Sequence, residues 1–340
     1  MADIDPAEGK AIAATADRGT SSSASLLQWA RNEVRIIAPI ITLIFLVVFF
    51  SLATTSFFSS RNVLNILEQS SLLVILATGV TMVLLVGQID LSFANQATLI
   101  GVILTMITGA GYSPWVSIPV CLLLGSVIGL TNGFFTAYRG VPAFMTTLAM
   151  LQITDGWAIY MTGGRPLFTV PPILDFLGNR KTGPIPNVVM MGLLVAAIAH
   201  FVLTYTRLGR YIYMVGGSPE AARVSGVNVK LINCVVFVIC GFTAALYGLL
   251  ATGRLSSAQP GTYASVMVDG LAGVVLGGTS LFGGVGGMLY TIIGSIIYVV
   301  LSNGLNMMAI DIYIKTLATG IVLLFAVVFN VYLQQLARER

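Results

Sequence analysis

Four carboxylates fall in or beside strongly apolar stretches of this chain: Glu68, Asp90, Asp155 and Asp269. A charge at the centre of a membrane helix costs roughly 2.5–3.5 kcal/mol on insertion scales, so each is a functional candidate by default. Each also has a plain structural reading. Glu68 would sit near the outer interface, Asp90 would cap the segment after it, Asp155 would bond neighbouring backbone, and Asp269 would cap the apolar run it opens. Polar groups able to bond the hydroxyls of a solute stand among them, at Gln88, Asn95, Asn132, Thr279, Asn303 and Asn306. Trp157 adds an aromatic face on which a sugar ring would stack. The alternative for the amides is hydrogen bonding between helices, worth about 0.6 kcal/mol on average in one measured bundle. Gln88, Asp90, Asn95, Trp157, Asp269, Thr279 and Asn303 are the candidates for a substrate path.

The pattern carries no catalytic machinery. There is no GxSxG, no HExxH and one histidine, His200, near the end of an apolar run. Cys121, Cys234 and Cys240 lie inside apolar runs without a CxxC or a Cys/His cluster, so neither a disulfide framework nor a metal site is supported. The sole Gly-Lys pair, Gly9-Lys10, is followed by Ala11, which excludes a phosphate-binding Walker loop, and the glycine run 277–287 contains no lysine. The chain is expected not to be an enzyme and to bind no cofactor. If ATP drives it, ATP and magnesium are held by another chain.

These groups need elements to position them, and composition says which kind. Of 340 residues, 56% are hydrophobic and 9% charged, against about 25% charged in a soluble domain. The fold expected is an all-α polytopic membrane protein. A span needs about 20 apolar residues to cross roughly 30 Å of hydrocarbon. On that measure spans fall near 36–56, 63–87, 93–110, 115–137, 141–162, 186–206, 231–253, 266–280, 286–305 and 312–334, the eighth being short. Residues 1–34 mix acids, Ala, Ser, Thr and Gly without an apolar signal core, and read as a disordered cytoplasmic tail before a transmembrane domain, 35–340. Ten spans put both ends on one side. With the tail inside, eleven of the 17 basic residues fall inside, which favours N-in and C-in. The net charge of +4 is scattered between apolar runs and argues for topology and a lipid environment, not for nucleic acid.

One polar stretch stands out, 207–230, RLGRYIYMVGGSPEAARVSGVNVK. Ser218 suits an N-cap, Pro219 the first helical position, Glu220 the positive end of the helix dipole, and Gly226 a left-handed end. That makes a helix of about seven residues, roughly 10 Å long. A helix so short is marginal in water and needs a surface to dock on. The charge count places it in the cytoplasm, where it would meet a partner protein or lie on lipid headgroups. On the outer side, 163–185 holds four prolines and four glycines, which oppose a long helix. It would cap the outer mouth, receive an external partner or simply connect. Gly125, Gly129 and Gly133 form a four-residue stripe that lets another helix approach closely. The nine glycines between Gly270 and Gly294 suggest closely packed, interrupted helices. A weak internal echo relates LLVGQIDLS (84–92) to VVLGGTSLF (274–282).

Three stretches carry a family resemblance: GVTMVLLVGQIDLS (79–92), GRYIYMVGGSPEAARVSGVNV (209–229), and DGLAGVVLGGTSLFGGVGG (269–287) followed by LSNGL (301–305). Across about 36–335 the chain resembles the membrane permease subunit of ribose-type bacterial ABC importers for monosaccharides. The resemblance implies a homodimeric inner-membrane permease, served by ABC ATPase subunits on the cytoplasmic face and by a periplasmic sugar-binding protein. It implies an ATPase-coupling role for Gly216, Gly217, Ser218, Pro219, Glu220, Ala221, Ala222, Arg223 and Gly226. The sequence departs from the family where Gln88 replaces a usual glycine, Phe93-Ala94-Asn95 a usual Val-Gly-Ser, and Met267 a frequent Glu. These departures bear on which solute is carried. The same machine for a polyol, nucleoside or branched-chain amino acid, or a proton-coupled carrier titrating Asp90 or Asp269, are the alternatives.

Overall fold

The computed structural model describes residues 37–263 and 265–338, with side chains described through Val328. The expected N-terminal tail lies outside the described residues. Ten apolar helices fall one on each of the ten expected runs: α1 (Ile37–Ala53), α2 (Ser60–Leu85), α3 (Phe93–Gly109), α4 (Pro114–Ala137), α5 (Ala143–Thr162), α7 (Asn187–Tyr205), α10 (Val229–Leu255), α11 (Val266–Leu276), α12 (Met288–Met307) and α13 (Ile312–Arg338). Five of them, α2, α4, α7, α10 and α12, are long and apolar enough to cross a membrane by length and composition. The short eighth run is short in fact. At 1.5 Å per residue α11 reaches only about 16 Å, half the hydrocarbon, before it breaks.

Three helices fill the connections. α6 (Pro172–Asn179) and a two-stranded hairpin, Lys181–Thr182 with Ile185–Pro186, occupy the proline-rich outer stretch. α8 (Arg207–Gly217) and α9 (Pro219–Val224) occupy the basic stretch. The helix α8 precedes the one expected helix of this stretch, and its Gly209, Gly216 and Gly217 are poor helix formers. Tertiary contact overrides that propensity: Thr206 caps it by accepting from the Gly209 amide at 3.3 Å, and Ile212 and Val215 are buried beneath it.

The centre of the molecule is α2 with α10. Leu72 to Leu85 of α2 are all buried, and α10 buries its Cys234–Cys240–Tyr247 side against α2, α3 and α4. The glycine stripe of α4 does what its spacing predicts. A Cβ on Gly125, Gly129 or Gly133 would collide with the α10 backbone around Gly241, Phe237 and Cys234 respectively, so the two helices meet backbone to backbone. Gln96, wholly buried on α3, seals this seam by donating to the carbonyls of Gly125 at 2.9 Å and Gly241 at 3.0 Å. The peripheral helices turn large apolar side chains outward, among them Phe45, Leu123, Leu193, Phe201 and Phe325, a surface suited to hydrocarbon and not to water. The three cysteines are buried and free, as packing residues.

The connections sort into two groups, one at each end of the bundle. At one end the α2–α3 turn, the 207–228 stretch and the 277–287 loop meet: the Gly284 amide donates to the Leu85 carbonyl at 2.9 Å, and Tyr213 Oη to the Gly286 carbonyl at 2.9 Å. At the other end Leu167 pairs with Ala258, and Asn179 Nδ2 donates to the Gly253 carbonyl at 3.0 Å. Helices that alternate in direction along the chain produce this sorting.

Candidate functional site

The first site is the end where α9 projects. Ser218 Oγ accepts from the Ala221 amide at 3.2 Å, Pro219 begins the helix, and Gly226 follows it at φ +81°, a left-handed conformation that favours glycine. The helix has six residues, one fewer than spacing suggested. Ala222 alone turns inward. Glu220 and Arg223 pair with each other one turn apart, Arg223 Nη2 to Glu220 Oε1 at 2.6 Å, both about 71% exposed. The pair aligns an acid with the N-terminus and a base with the C-terminus of the helix dipole. What protrudes is a short, preformed, two-signed ridge.

The base of the ridge is fastened by glycines. A Cβ on Gly216 would fall inside the Leu85 carbonyl at the end of α2, and the Gly284 amide that bonds this carbonyl lies against the same spot. Gly283 and Gly284, at φ +88° and +72°, bring the α11–α12 loop onto Gly216 and Gly217. Gly87 lies against the Phe282 carbonyl. The two stretches with the weak sequence echo therefore meet in space. Backbone from three parts of the chain converges here with almost no side chain between them.

A second set of polar groups runs along α2 from the opposite end. Asn62, Asn65, Gln69 and then Leu72 and Leu73 follow one face at three- and four-residue steps. Asn62 and Asn303 exchange side-chain hydrogen bonds at 3.0 Å, which fulfils the interhelical reading of Asn303. Glu68 Oε2 accepts from Arg254 Nη1 at 2.5 Å, and Arg254 Nη2 reaches Asn65 Oδ1 at 3.2 Å, tying α2 to α10. Ser59, Arg61, Asn62, Asn65, Glu68 and Lys181 line an open groove of about 510 Å³ at this end. One turn further along α2, Gln69, Tyr247, Asp269, Tyr298 and Ser302 line a half-open cavity of about 160 Å³ together with Leu72, Leu73, Val266 and Val299.

Asp269 does not cap α11 as one reading of the sequence had it. Ser265 holds the cap position, and Asp269 accepts from Tyr298 Oη across the α11–α12 pair. Asp90, by contrast, is a turn residue. Its Oδ1 accepts from the Ser92 amide and Ser92 Oγ, both at 2.7 Å, and Asn132 Nδ2 donates to Ser92 Oγ at 2.9 Å. At 2% exposure Asp90 borders neither cavity. Of the seven path candidates, Asp269 lines the smaller cavity and Asn303 lies beside the larger groove through Asn62. Gln88 is half-buried in the α2–α3 turn, Asn95 is buried in the first turn of α3, and Thr279 is buried in the glycine loop. Trp157 stands apart, 55% exposed on α5 with Tyr160 at its edge, and shares no cavity with Asp269. Sequence reasoning missed Asn62, Gln69, Tyr247, Tyr298 and Ser302. The steps from Asn62 through Asn65 to Gln69 on α2 and from Tyr298 to Ser302 on α12 were the available signal, but they are indistinguishable from ordinary helix packing, and Tyr247 on α10 carried none.

Residues 62–327 match the family described as branched-chain amino acid transport system / permease component. The chain belongs to that permease family. It is 40% identical over 299 residues to the ribose import permease of Haemophilus influenzae, covering 86% of this chain and 92% of that one. It is 33% identical over 298 residues to the ribose import permease of Bacillus subtilis, with the same coverage. The D-allose transport system permease of Escherichia coli is 32% identical over 289 residues, covering 84% and 88%. No solved structure matches. The resemblance to ribose-type ABC permeases is thereby shown, and with it a multi-pass protein of the bacterial inner membrane that is the permease, not the enzyme, of its system.

Proposed function

We propose that this permease carries a monosaccharide of the pentose or hexose class into the cytoplasm by alternating access, driven by ATP and magnesium bound to partner ATPase subunits. The permease acts as a homodimer with ten spans per subunit and both ends inside. A periplasmic sugar-binding protein delivers the solute to the groove at the Arg61–Lys181 end. The supporting observation is the construction at the opposite end. A ridge with its own internal ion pair is exposed to a partner, while its base is fastened to the α2–α3 turn and to the loop joining α11 to α12. Displacing the ridge displaces both. The sugar class rests on the relatives, which are named for ribose and D-allose.

The test is the Glu220→Arg plus Arg223→Glu double reversal in liposomes containing the ATPase and the binding protein. The swap keeps the two residues within pairing distance while it inverts the charge presented outward. Sugar-stimulated ATP hydrolysis is expected to fall at least about tenfold, on the scale of a lost charge-complementary contact of about 1.4 kcal/mol or more. Uptake by the permease alone, without any ATPase and collapsing with the proton gradient, would overturn the proposal in favour of proton coupling.

A further inference from the structure

Between α2, α10, α11 and α12 a half-buried carboxylate is held beside empty space. Asp269 accepts from Tyr298 Oη, which fixes its direction, and a carboxylate has capacity for further donors beyond one hydroxyl. The cavity it lines adds the amide of Gln69 and the hydroxyl of Ser302, on walls formed by the ring of Tyr247 and by leucine and valine. Tyr247 is itself braced by Tyr263 at 5.4 Å, edge to face. Hydrogen-bonding groups set into an aromatic and aliphatic wall match a molecule with polar hydroxyls on its edge and C–H bonds on its face. A volume of about 160 Å³ equals roughly five waters at ~30 Å³ each, enough for a small ring and short of the 300–1,000 Å³ of drug-sized pockets.

The same face of α2 that lines this cavity also lines the larger groove, so the two spaces are consecutive along one helix. Gln69 Nε2 donates to Asn65 Oδ1 at 3.0 Å, and Asn65 accepts in turn from Arg254. One polar ladder thus joins the larger groove to the smaller pocket.

We propose that this cavity is a transient solute site inside each protomer, in which the Asp269 carboxylate accepts a hydroxyl of a polyhydroxylated ring stacked on Tyr247. Tyr298 is a positioning residue that aims the carboxylate. The site rests on the importer reading for its solute but stands on its own geometry. A site built to bond a hydroxyl rejects the analogue that lacks it, because its buried acceptor is left unpaired.

The experiment compares uptake of D-ribose, D-allose and D-xylose with that of their 2-deoxy and 3-deoxy analogues, using the assembled importer in liposomes. Wild type, Asp269→Asn and Ser302→Ala are measured with the same binding protein, so its own preference cancels in the ratio of ratios. The Asp269→Asn variant is expected to lower the preference for parent sugar over one deoxy analogue at least about fivefold. If Asp269→Asn does not reach the membrane, Ser302→Ala reads the same ratio, with a smaller expected drop. An unchanged ratio in an importer that still carries the sugars overturns the site. Wild-type uptake that ignores removal of ATP fails the importer reading alone, since the ratio still tests the cavity. A wild type that carries none of the three sugars overturns both.

Discussion

Asn62 donates through one amide to two acceptors, the Phe57 carbonyl at 2.9 Å and Asn303 Oδ1 at 3.0 Å, while the only described side-chain partner of Asn303 is Asn62. This asymmetry orders the outcome of substitution. Exchanged for apolar residues together, an interhelical pair in a membrane is worth only about 0.6 kcal/mol. Removing one partner instead leaves a buried polar group unpaired, at about 1–3 kcal/mol. Asn62→Leu is therefore expected to lower the thermal unfolding midpoint in detergent more than Asn303→Leu. The double variant should recover part of the loss. Equal effects from the two single changes would show that the pair is solvated. At this scale the sequence was only partly legible. Four acids could be nominated by their setting, but their partners could not. Glu68 meets Arg254 across 186 positions, and Asp269 meets Tyr298 across 29. No local spacing encodes such encounters. Asp90 was readable because its partner, Ser92, is two positions away and the turn chemistry is local.

The helices themselves were legible almost throughout, since apolar length is the dominant constraint in hydrocarbon and ten runs gave ten helices. The miss was α8. Its glycines look like helix breakers until the reason for them is seen, which is contact. Gly216 and Gly217 are neighbours with opposite surroundings: a Cβ at the first collides with the Leu85 carbonyl, and a Cβ at the second meets nothing within 4 Å. Gly216→Ala is thus expected to separate α8 from the end of α2, so that sugar moved per ATP hydrolysed falls at least about tenfold. Gly217→Ala is expected to transport as wild type, with a slight gain in stability from helix propensity. Similar losses from both would mean that flexibility, not close approach, is what these glycines supply. On α4 the same logic applies to Gly129, where a Cβ would strike the Phe237 carbonyl. Gly129→Val should prevent α4 from seating on α10 and reduce folded protein in the membrane several-fold, read by size-exclusion chromatography of the detergent extract.

For the whole molecule, the sorting of connections into two ends makes sidedness a single measurement. Val224 on α9 is 79% exposed and Phe168 in the outer connection 70% exposed, and all three native cysteines are buried. With N-in topology, a membrane-impermeant maleimide should label Phe168→Cys in intact spheroplasts and Val224→Cys only after lysis. The reverse pattern would invert the orientation, which rests on the balance of basic residues, and with it the assignment of α9 as the ATPase contact. How the two ends communicate was not legible in the residues alone, because it depends on which loops touch. One end is a backbone junction and the other a polar groove, and α2 spans both.

The glycine junction has a temporal meaning as well. Side chains at a moving contact act as springs, since rotamers can change while the backbone waits. Where Gly216 meets Leu85 and Gly284, peptide groups touch directly and there is no such compliance. A displacement of α9 is passed on at once or the contact breaks. Two spectroscopic reporters, one on α9 and one on the loop between α11 and α12, should therefore relax with one shared rate constant after ATP is added, without a lag between them.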